Sequence, residues 1–342
     1  MCTGKDMKIK RLGKTGLKVS EVCLGTMTFG NQADLEASFE IMDVADEAGV
    51  TFFDTADAYP LGGDLDVLGT TEEIVGRWLR ERNARERIVL ATKCRGRMGR
   101  NPNDEGLSRK HILDACEQSL RRLQTDYIDL YQIHWPDPET PIEETLHALD
   151  DLVHTGKVRY IGCSNFPAWQ LSDALWTSKL EGIASFVSVQ PRYNLVFRMI
   201  EDELLPLCQA HGLGAIVYNP LAGGVLTGRY GPGASVEEGS RFGLKRSGEI
   251  YQKRYWNDTL FEEVARLSNF FAPRGKSLTH VALAWVLAQP AITSAILGAS
   301  KPDQLRDSIR GVDLKLDDEE LLACDEVWYN LPRIRDREIA RR

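Results

Sequence analysis

Eight short runs of β-branched and apolar residues, at 22–25, 51–55, 88–93, 127–134, 159–163, 186–190, 215–218 and 294–297, alternate with longer stretches of helical spacing. That alternation is the pattern of βα units around a parallel sheet. Most of the runs are nearly continuous in apolar residues, as strands covered on both faces must be. An eightfold series closes most economically into a barrel, so the expected class is α/β, a (β/α)8 TIM barrel. The length of 342 residues admits either two domains or one such barrel. No linker-like Pro/Ser tract or low-complexity segment interrupts the series, which favours a single domain over 1–342 with the barrel at about 20–330 and a charged tail at 331–342.

Local signals refine this outline. Residues 8–20, two alternating runs around Gly13-Lys14-Thr15-Gly16, predict a β-hairpin ahead of the first barrel strand. Thr140-Pro141-Ile142-Glu143 reads as a capping box with Pro at the first helical position, followed by an apolar stripe of Ile142, Leu146, Leu149 and Val153 and a stop at Gly156. Ser108 predicts the cap of a helix through Ile112, Ala115, Leu120 and Leu123, and Ala48-Gly49 the end of an earlier one. Segment 229–257 has neither a convincing strand nor a continuous helical period, and long loops of that kind commonly cover a site. It is locally basic: Arg229, Arg241, Lys245, Arg246, Lys253 and Arg254 stand against Glu237, Glu238 and Glu249.

Charge and composition exclude several functions. Forty-two Lys and Arg against fifty Asp and Glu give a net charge of −8, the wrong sign for gripping nucleic acid or an anionic membrane. Hydrophobic residues at 43% and charged residues at 27% suit a folded chain with a large core. No apolar run reaches the ~18 residues needed to cross a bilayer, and residues 1–10 carry charges where a signal peptide needs an apolar stretch. The expectation is a cytoplasmic protein whose partners are small molecules. Its seven scattered cysteines contain no Cys-x-x-Cys pair, which suggests reduced thiols and neither a disulfide framework nor a zinc site.

Active sites of such barrels sit at the C-terminal strand ends. Strand two ends in Phe53-Asp54-Thr55-Ala56-Asp57-Ala58-Tyr59, strand three in Thr92-Lys93 and strand four in Gln132-Ile133-His134-Trp135. Singly these residues say little, but jointly they place Asp, Tyr, Lys and His at one end of the barrel. The arrangement resembles the aldo-keto reductase superfamily, in which Asp54, Tyr59, Lys93 and His134 match the catalytic tetrad. Leu24-Gly25-Thr26-Met27-Thr28-Phe29-Gly30, Gly162-Cys163-Ser164-Asn165-Phe166 and the run from Pro220 to Gly228 agree with it over roughly residues 8–330. The Thr-Met-Thr-Phe-Gly opening and the long segment after strand seven are most similar to the branch of potassium-channel β subunits and related bacterial reductases.

The chemistry suits these residue types. A carbonyl that receives hydride develops negative charge on oxygen, and a positioned acid stabilises it by delivering a proton. Tyr59 is the expected donor, Lys93 the source of a field that eases its ionisation, and Asp54 the group that holds Lys93. His134 is expected to orient the carbonyl or relay the proton, with its charge state left open. Trp135 is a candidate wall of the substrate pocket. Asp57 matches no tetrad position and reads as a turn or cap residue.

No Gly-x-Gly-x-x-Gly follows a strand, so a Rossmann phosphate loop is unsupported. The resemblance implies instead that Ser164, Asn165 and Gln190 hold a nicotinamide carboxamide while Tyr218 stacks on the ring. Thr26, Met27, Asp54, Asn219, Pro220, Leu221 and Gly223 complete that end. Arg229 and Ser240-Arg241 match phosphate-contacting positions, which makes the basic segment a clasp over the pyrophosphate. Gly298, Ser300, Lys301, Gln304, Asp307 and Ser308 match adenosine contacts. Ser300 and Lys301 favour NADP over NAD. The family commonly has Glu-Asn where this chain has Asp307-Ser308, and its channel-type members often have Trp where this chain has Met27.

The implied function is an NADP(H)-dependent aldo-keto reductase acting on an aldehyde or ketone, and this branch includes homo-oligomers. The alternative is a cofactor-bound, redox-sensing regulatory subunit of a protein complex. A barrel hydrolase using Asp54 and His134 would lack metal ligands and leave Lys93 and the Ser164-Asn165 pair unexplained. Arg95, Arg97 and Arg100 in the loop at 94–107 suggest a polar or anionic carbonyl substrate, such as a sugar-derived aldehyde.

Overall fold

The computed structural model describes residues 7–245 and 247–332. Residues 1–6, Arg246 and 333–342 lie outside the described part, and with them part of the charged start, one lid cation and most of the expected tail.

The chain runs through β1 (Ile9–Arg11), β2 (Lys18–Ser20), β3 (Val22–Gly25), β4 (Phe52–Asp54), β5 (Val89–Cys94), β6 (Ile128–Ile133), β7 (Val158–Ser164), β8 (Ser188–Gln190), β9 (Gly214–Val217) and β10 (Ile292–Gly298). Strands β3 to β10 close into an eight-stranded parallel barrel, β10 pairing with both β9 and β3. Its helices are α1 (Leu35–Glu47), α2 (Thr70–Glu81), α3 (Arg109–Leu123), α4 (Ile142–His154), α5 (Ala168–Glu181), α6 (Leu204–His211), α7 (Ser247–Tyr255), α8 (Asp258–Phe271), α9 (Leu278–Ala288), α10 (Pro302–Ile309) and α11 (Asp318–Asn330). All eight expected strands are present, their ends shifted by three residues or fewer.

Side-chain alternation divides the core in two. Outward residues such as Leu24, Phe53, Leu90, Tyr131 and Ile133 pack in the shell between sheet and helices. Inward residues Cys23, Phe52, Ala91, Leu130, Ile216 and Ile296 fill the barrel's lower half. The same alternation carried two residues onward points Asp54, Lys93 and Gln132 into the upper half, where Lys93 lies opposite Gln132 in register. Apolar filling below and polar side chains above therefore follow from one period.

The hairpin of β1 and β2 closes the lower end, its Leu12 and Val19 packing into the inner core. At its tip Gly13 has φ +57°, and a Cβ there would lie 2.4 Å from the Gly212 carbonyl oxygen. The Lys14 amide donates to that same oxygen at 2.8 Å.

Two local expectations need correction. Pro141 caps α4 with extended backbone, rather than occupying its first turn, and no side-chain cap is made. The Thr140 hydroxyl donates instead to Asp137 Oδ2 at 3.0 Å, because that carboxylate organises the preceding loop through the Leu107 and Glu139 amides. Second, the segment at 229–257 contains helix α7. Tyr230, Phe242, Trp256 and Phe261 form an aromatic cluster with centroid separations of 4.8–6.3 Å, so this cover has a core of its own. Ser108 caps α3 as expected, accepting from the His111 amide.

Gly13→Ala should cost about 1–3 kcal/mol, from left-handed backbone strain together with the clash at Gly212. Urea unfolding monitored by tryptophan fluorescence will measure it.

Candidate active site

The upper end of the barrel opens into a cavity of about 960 Å³. Every residue expected to bind cofactor or substrate lines it, from Thr26 and Met27 through Tyr218 to Asp307 and Ser308. Lys93 alone of the expected set does not. It sits just behind, with no solvent exposure.

Lys93 Nζ donates to Asp54 Oδ2 at 2.5 Å, to the Thr55 carbonyl at 2.9 Å and to Tyr59 Oη at 3.5 Å. Asp54 Oδ1 accepts from Gln190 Nε2 at 2.8 Å and Gln132 Nε2 at 3.0 Å. Both carboxylate oxygens are thus occupied, as a buried charge requires. Burial opposes the Lys93 ammonium, yet Asp54 and Tyr59 outweigh it and hold its pKa above the ordinary value. For Tyr59, burial dominates and raises the phenol to about 12, although Lys93 acts in the opposite direction. The field of Lys93 has the expected sign, but desolvation is stronger, and the Tyr59 phenol is neutral at physiological pH.

His134 faces Tyr59 edge to face, with ring centroids 5.7 Å apart. Burial, then Lys93 and Arg95, push its pKa well below the usual histidine value, which makes the ring neutral. Its Nδ1 is buried without a hydrogen-bond partner. Asn165 Nδ2 donates to the His134 carbonyl at 2.9 Å, and the Tyr218 hydroxyl donates to Asn165 Oδ1 at 2.8 Å. The Ser164 hydroxyl donates to the Gln190 carbonyl at 2.8 Å. These bonds lock strands β6 to β9 together at the cavity floor.

At the far end, the Gln304 side chain accepts from the Ser300 and Lys301 amides and so organises the N-terminus of α10. Asp307 meets His280. Above the cavity, Gln32 Nε2 donates to the Gly239 carbonyl at 3.0 Å, so the segment after β9 is fastened to the loop after β3. Arg229 pairs with Glu237, and Arg241 lies over the Tyr251 ring at 5.3 Å.

The loop arginines are not where an anionic substrate would need them. Arg95 lies against Asp137 and the Trp135 ring, Arg97 pairs with Glu105, and Arg100 is exposed; none lines the cavity. Trp135, Trp169, Leu61 and Tyr251 line the cavity instead. Trp169 and Tyr251 escaped the sequence reading, the latter because helix α7 was not apparent. Gln132 escaped it too, although its inward position two residues before His134 was a usable signal. Asp57 is fully buried with Oδ2 unpartnered, and burial followed by Glu72 raises its carboxyl well above the usual range. Among the described residues no group of three or more His, Cys, Asp or Glu side chains is placed to hold a metal, and no helix is long and apolar enough to cross a membrane.

Comparison with known proteins agrees with this geometry: the model of the Aldo/keto reductase family matches residues 21–329. The chain belongs to that family. It is similar to an uncharacterized oxidoreductase, YrpG, of Bacillus subtilis, at 39% identity covering 94% of this chain and 96% of that one. A probable voltage-gated potassium channel subunit beta of Arabidopsis thaliana is 38% identical, covering 90% and 92% of the two chains. Protein tas of Escherichia coli is 33% identical, covering 94% and 97%. This aldo/keto reductase thus falls in the branch that its opening motif and long cover resemble, and its family and relatives make it an oxidoreductase.

The two shifted groups titrate on opposite sides of neutrality. His134 contributes stability that is complete above pH 6.5 and is lost as pH falls below it, because only the unfolded chain then takes up the proton. Tyr59 contributes stability that is complete below pH 10 and is lost as pH rises towards about 12. In NMR, the His134 C2 proton, assigned by its loss in His134→Gln, should keep its neutral position as pH passes down through 6.5. Movement with a midpoint at that value would contradict the neutral assignment.

Proposed function

We propose that this aldo/keto reductase is an NADP(H)-dependent carbonyl reductase with Tyr59 as the general acid in reduction and general base in the reverse direction. The observation that carries the reading is one continuous cavity with Tyr59 and His134 at one end and the α10 N-terminus with Lys301 at the other. Its donor set suits such a cofactor. A helix N-terminus beside a lysine favours a phosphate, and Arg229 and Arg241 also line the cavity. Ser164, Asn165, Gln190 and Tyr218 surround the end nearest Tyr59, where the nicotinamide would lie.

When bound, the reduced nicotinamide supplies the hydride. The chain's own residues manage the proton. His134, neutral and within ring contact of Tyr59, shares with it the space where a carbonyl oxygen would sit. The Tyr59 hydroxyl donates its proton to that oxygen as charge develops on it, and the resulting phenolate lies beside the Lys93 ammonium, which Asp54 holds in place. The aromatic wall of Trp135, Trp169 and Tyr251 suits neutral, apolar or aromatic carbonyl compounds rather than anionic ones.

A regulatory subunit that senses redox state is the second reading, favoured by the similarity to a probable channel subunit beta. Turnover separates the two. Sustained NADPH consumption with a panel of aldehydes, well beyond one equivalent per chain, is expected; a single slow oxidation would favour the regulatory role. Tyr59→Phe should lower kcat by about 10²–10⁴-fold while changing the NADPH Kd by no more than about twofold. Lys301→Ala should weaken NADPH about tenfold or more and NADH little, as expected for loss of a charge-assisted phosphate contact. Equal effects on both cofactors would remove Lys301 from that role.

A further inference from the structure

We infer that Thr92 and Glu72, which lie outside the barrel wall and do not line the cavity, are positioning residues that set the approach of Lys93 to Tyr59. The inference rests on Tyr59 being the proton donor. Lys93 Nζ and Tyr59 Oη are 3.5 Å apart, the long limit of a hydrogen bond, so a small displacement of either segment would break the contact.

The two groups come from different segments. Lys93 stands on β5, whereas Tyr59 stands on the loop between β4 and α2. Inside the barrel, Asp54 holds Lys93 but makes no bond to the Tyr59 loop beyond its own strand. Lys93 Nζ meets the Thr55 carbonyl at the root of that loop at 2.9 Å, and a further tie between the segments runs outside. Thr92 points away from the barrel interior, opposite to Lys93, and its hydroxyl donates to Glu72 Oε1 at 2.5 Å. Glu72 Oε2 accepts from Arg122 Nε of α3 at 2.8 Å. The stem of Arg122 lies under Gly69, where a Cβ would come within 2.7 Å of Arg122 Cδ. The Gly69 amide in turn donates to the Tyr59 carbonyl at 2.9 Å. Nearer the barrel, the Asp57 amide donates to the Lys93 carbonyl at 3.1 Å. One carboxylate thus fastens the strand bearing Lys93 through Thr92 and the loop bearing Tyr59 through Arg122.

Glu72 has no solvent exposure. A buried ion pair contributes little net stability compared with apolar packing and is more useful for fixing geometry. Beside it, burial and the Glu72 charge push the Asp57 carboxyl above the usual range, while its Oδ1 accepts from the Ala58 amide at 2.6 Å.

Thr92→Val removes the hydroxyl, keeps the β-branched shape and leaves the Glu72 and Arg122 pair in place. It should lower kcat by about tenfold or more, leave the carbonyl KM and the fluorescence-measured NADPH Kd within about twofold, and be rescued to near-parental kcat by Thr92→Ser. Glu72→Gln is the second variant and should show the same split. Circular dichroism and urea unfolding establish that each is folded. A folded Thr92→Val with parental kcat overturns the inference, and so does one whose KM and Kd deteriorate together with kcat. Tyr59→Phe measured alongside distinguishes the failures. If it retains turnover, the proposed function falls and this inference with it; if it is inactive while Thr92→Val is unaffected, only the positioning role falls.

Discussion

The ion pair between Lys93 and Asp54 is the constraint on which the upper half of the molecule depends. An ammonium with no solvent exposure is tolerable only with a full set of acceptors, and Lys93 finds them in Asp54, the Thr55 carbonyl and Tyr59. Asp54 then needs donors for its second oxygen, and these come from Gln132 on β6 and Gln190 on β8. Four strands must therefore close in correct register before either charge is satisfied. Removing one member of such a pair typically costs about 3–5 kcal/mol, because the other is left buried and uncompensated. Site geometry and barrel closure are for this reason a single requirement.

The same pair fixes the protonation of its neighbours. A buried positive charge disfavours a second one, which together with desolvation leaves His134 neutral. It also favours the phenolate of Tyr59, but burial outweighs that effect and the phenol stays protonated. A neutral imidazole facing a protonated phenol beside an ammonium is a suitable environment for an oxygen that gains negative charge during the proposed reaction. No residue in the group has to change its charge before a carbonyl arrives.

Much of this was legible in the sequence, for a physical reason. Strands of a closed barrel repeat with a period of two and end in loops at one face, so Asp54, Lys93 and His134 could be placed together from position alone. Residues acting from outside the barrel could not. Glu72 reads as an ordinary acidic residue in the first turn of α2, and nothing in the chain announces that Thr92 and Arg122 converge on it from elements some 20 and 50 positions away. Counting charges along a loop misled for the related reason that pairing is tertiary: Arg97 is neutralised by Glu105, and Arg95 lies on an indole ring. Helix α7 was hidden because its buried residues include Ser247 and Gly248 as well as Tyr251 and Tyr255, so burial there does not follow hydrophobicity.

Charge illustrates the difference between a total and a location. The chain carries −8 overall, yet the cavity wall contains Arg229, Arg241, Arg254 and Lys301 along with Asp54, Glu237, Glu238 and Asp307. Formally these cancel. They are not equivalent, because Asp54 is taken by Lys93 behind the cavity wall, while Arg229 and Glu237 neutralise each other. Lys301 stands at the N-terminus of α10, where the helix dipole adds to the positive potential. An acidic surface therefore coexists with a cavity suited to a small polyanion, and long-range repulsion is limited because charges beyond a Debye length of roughly 8 Å are largely screened.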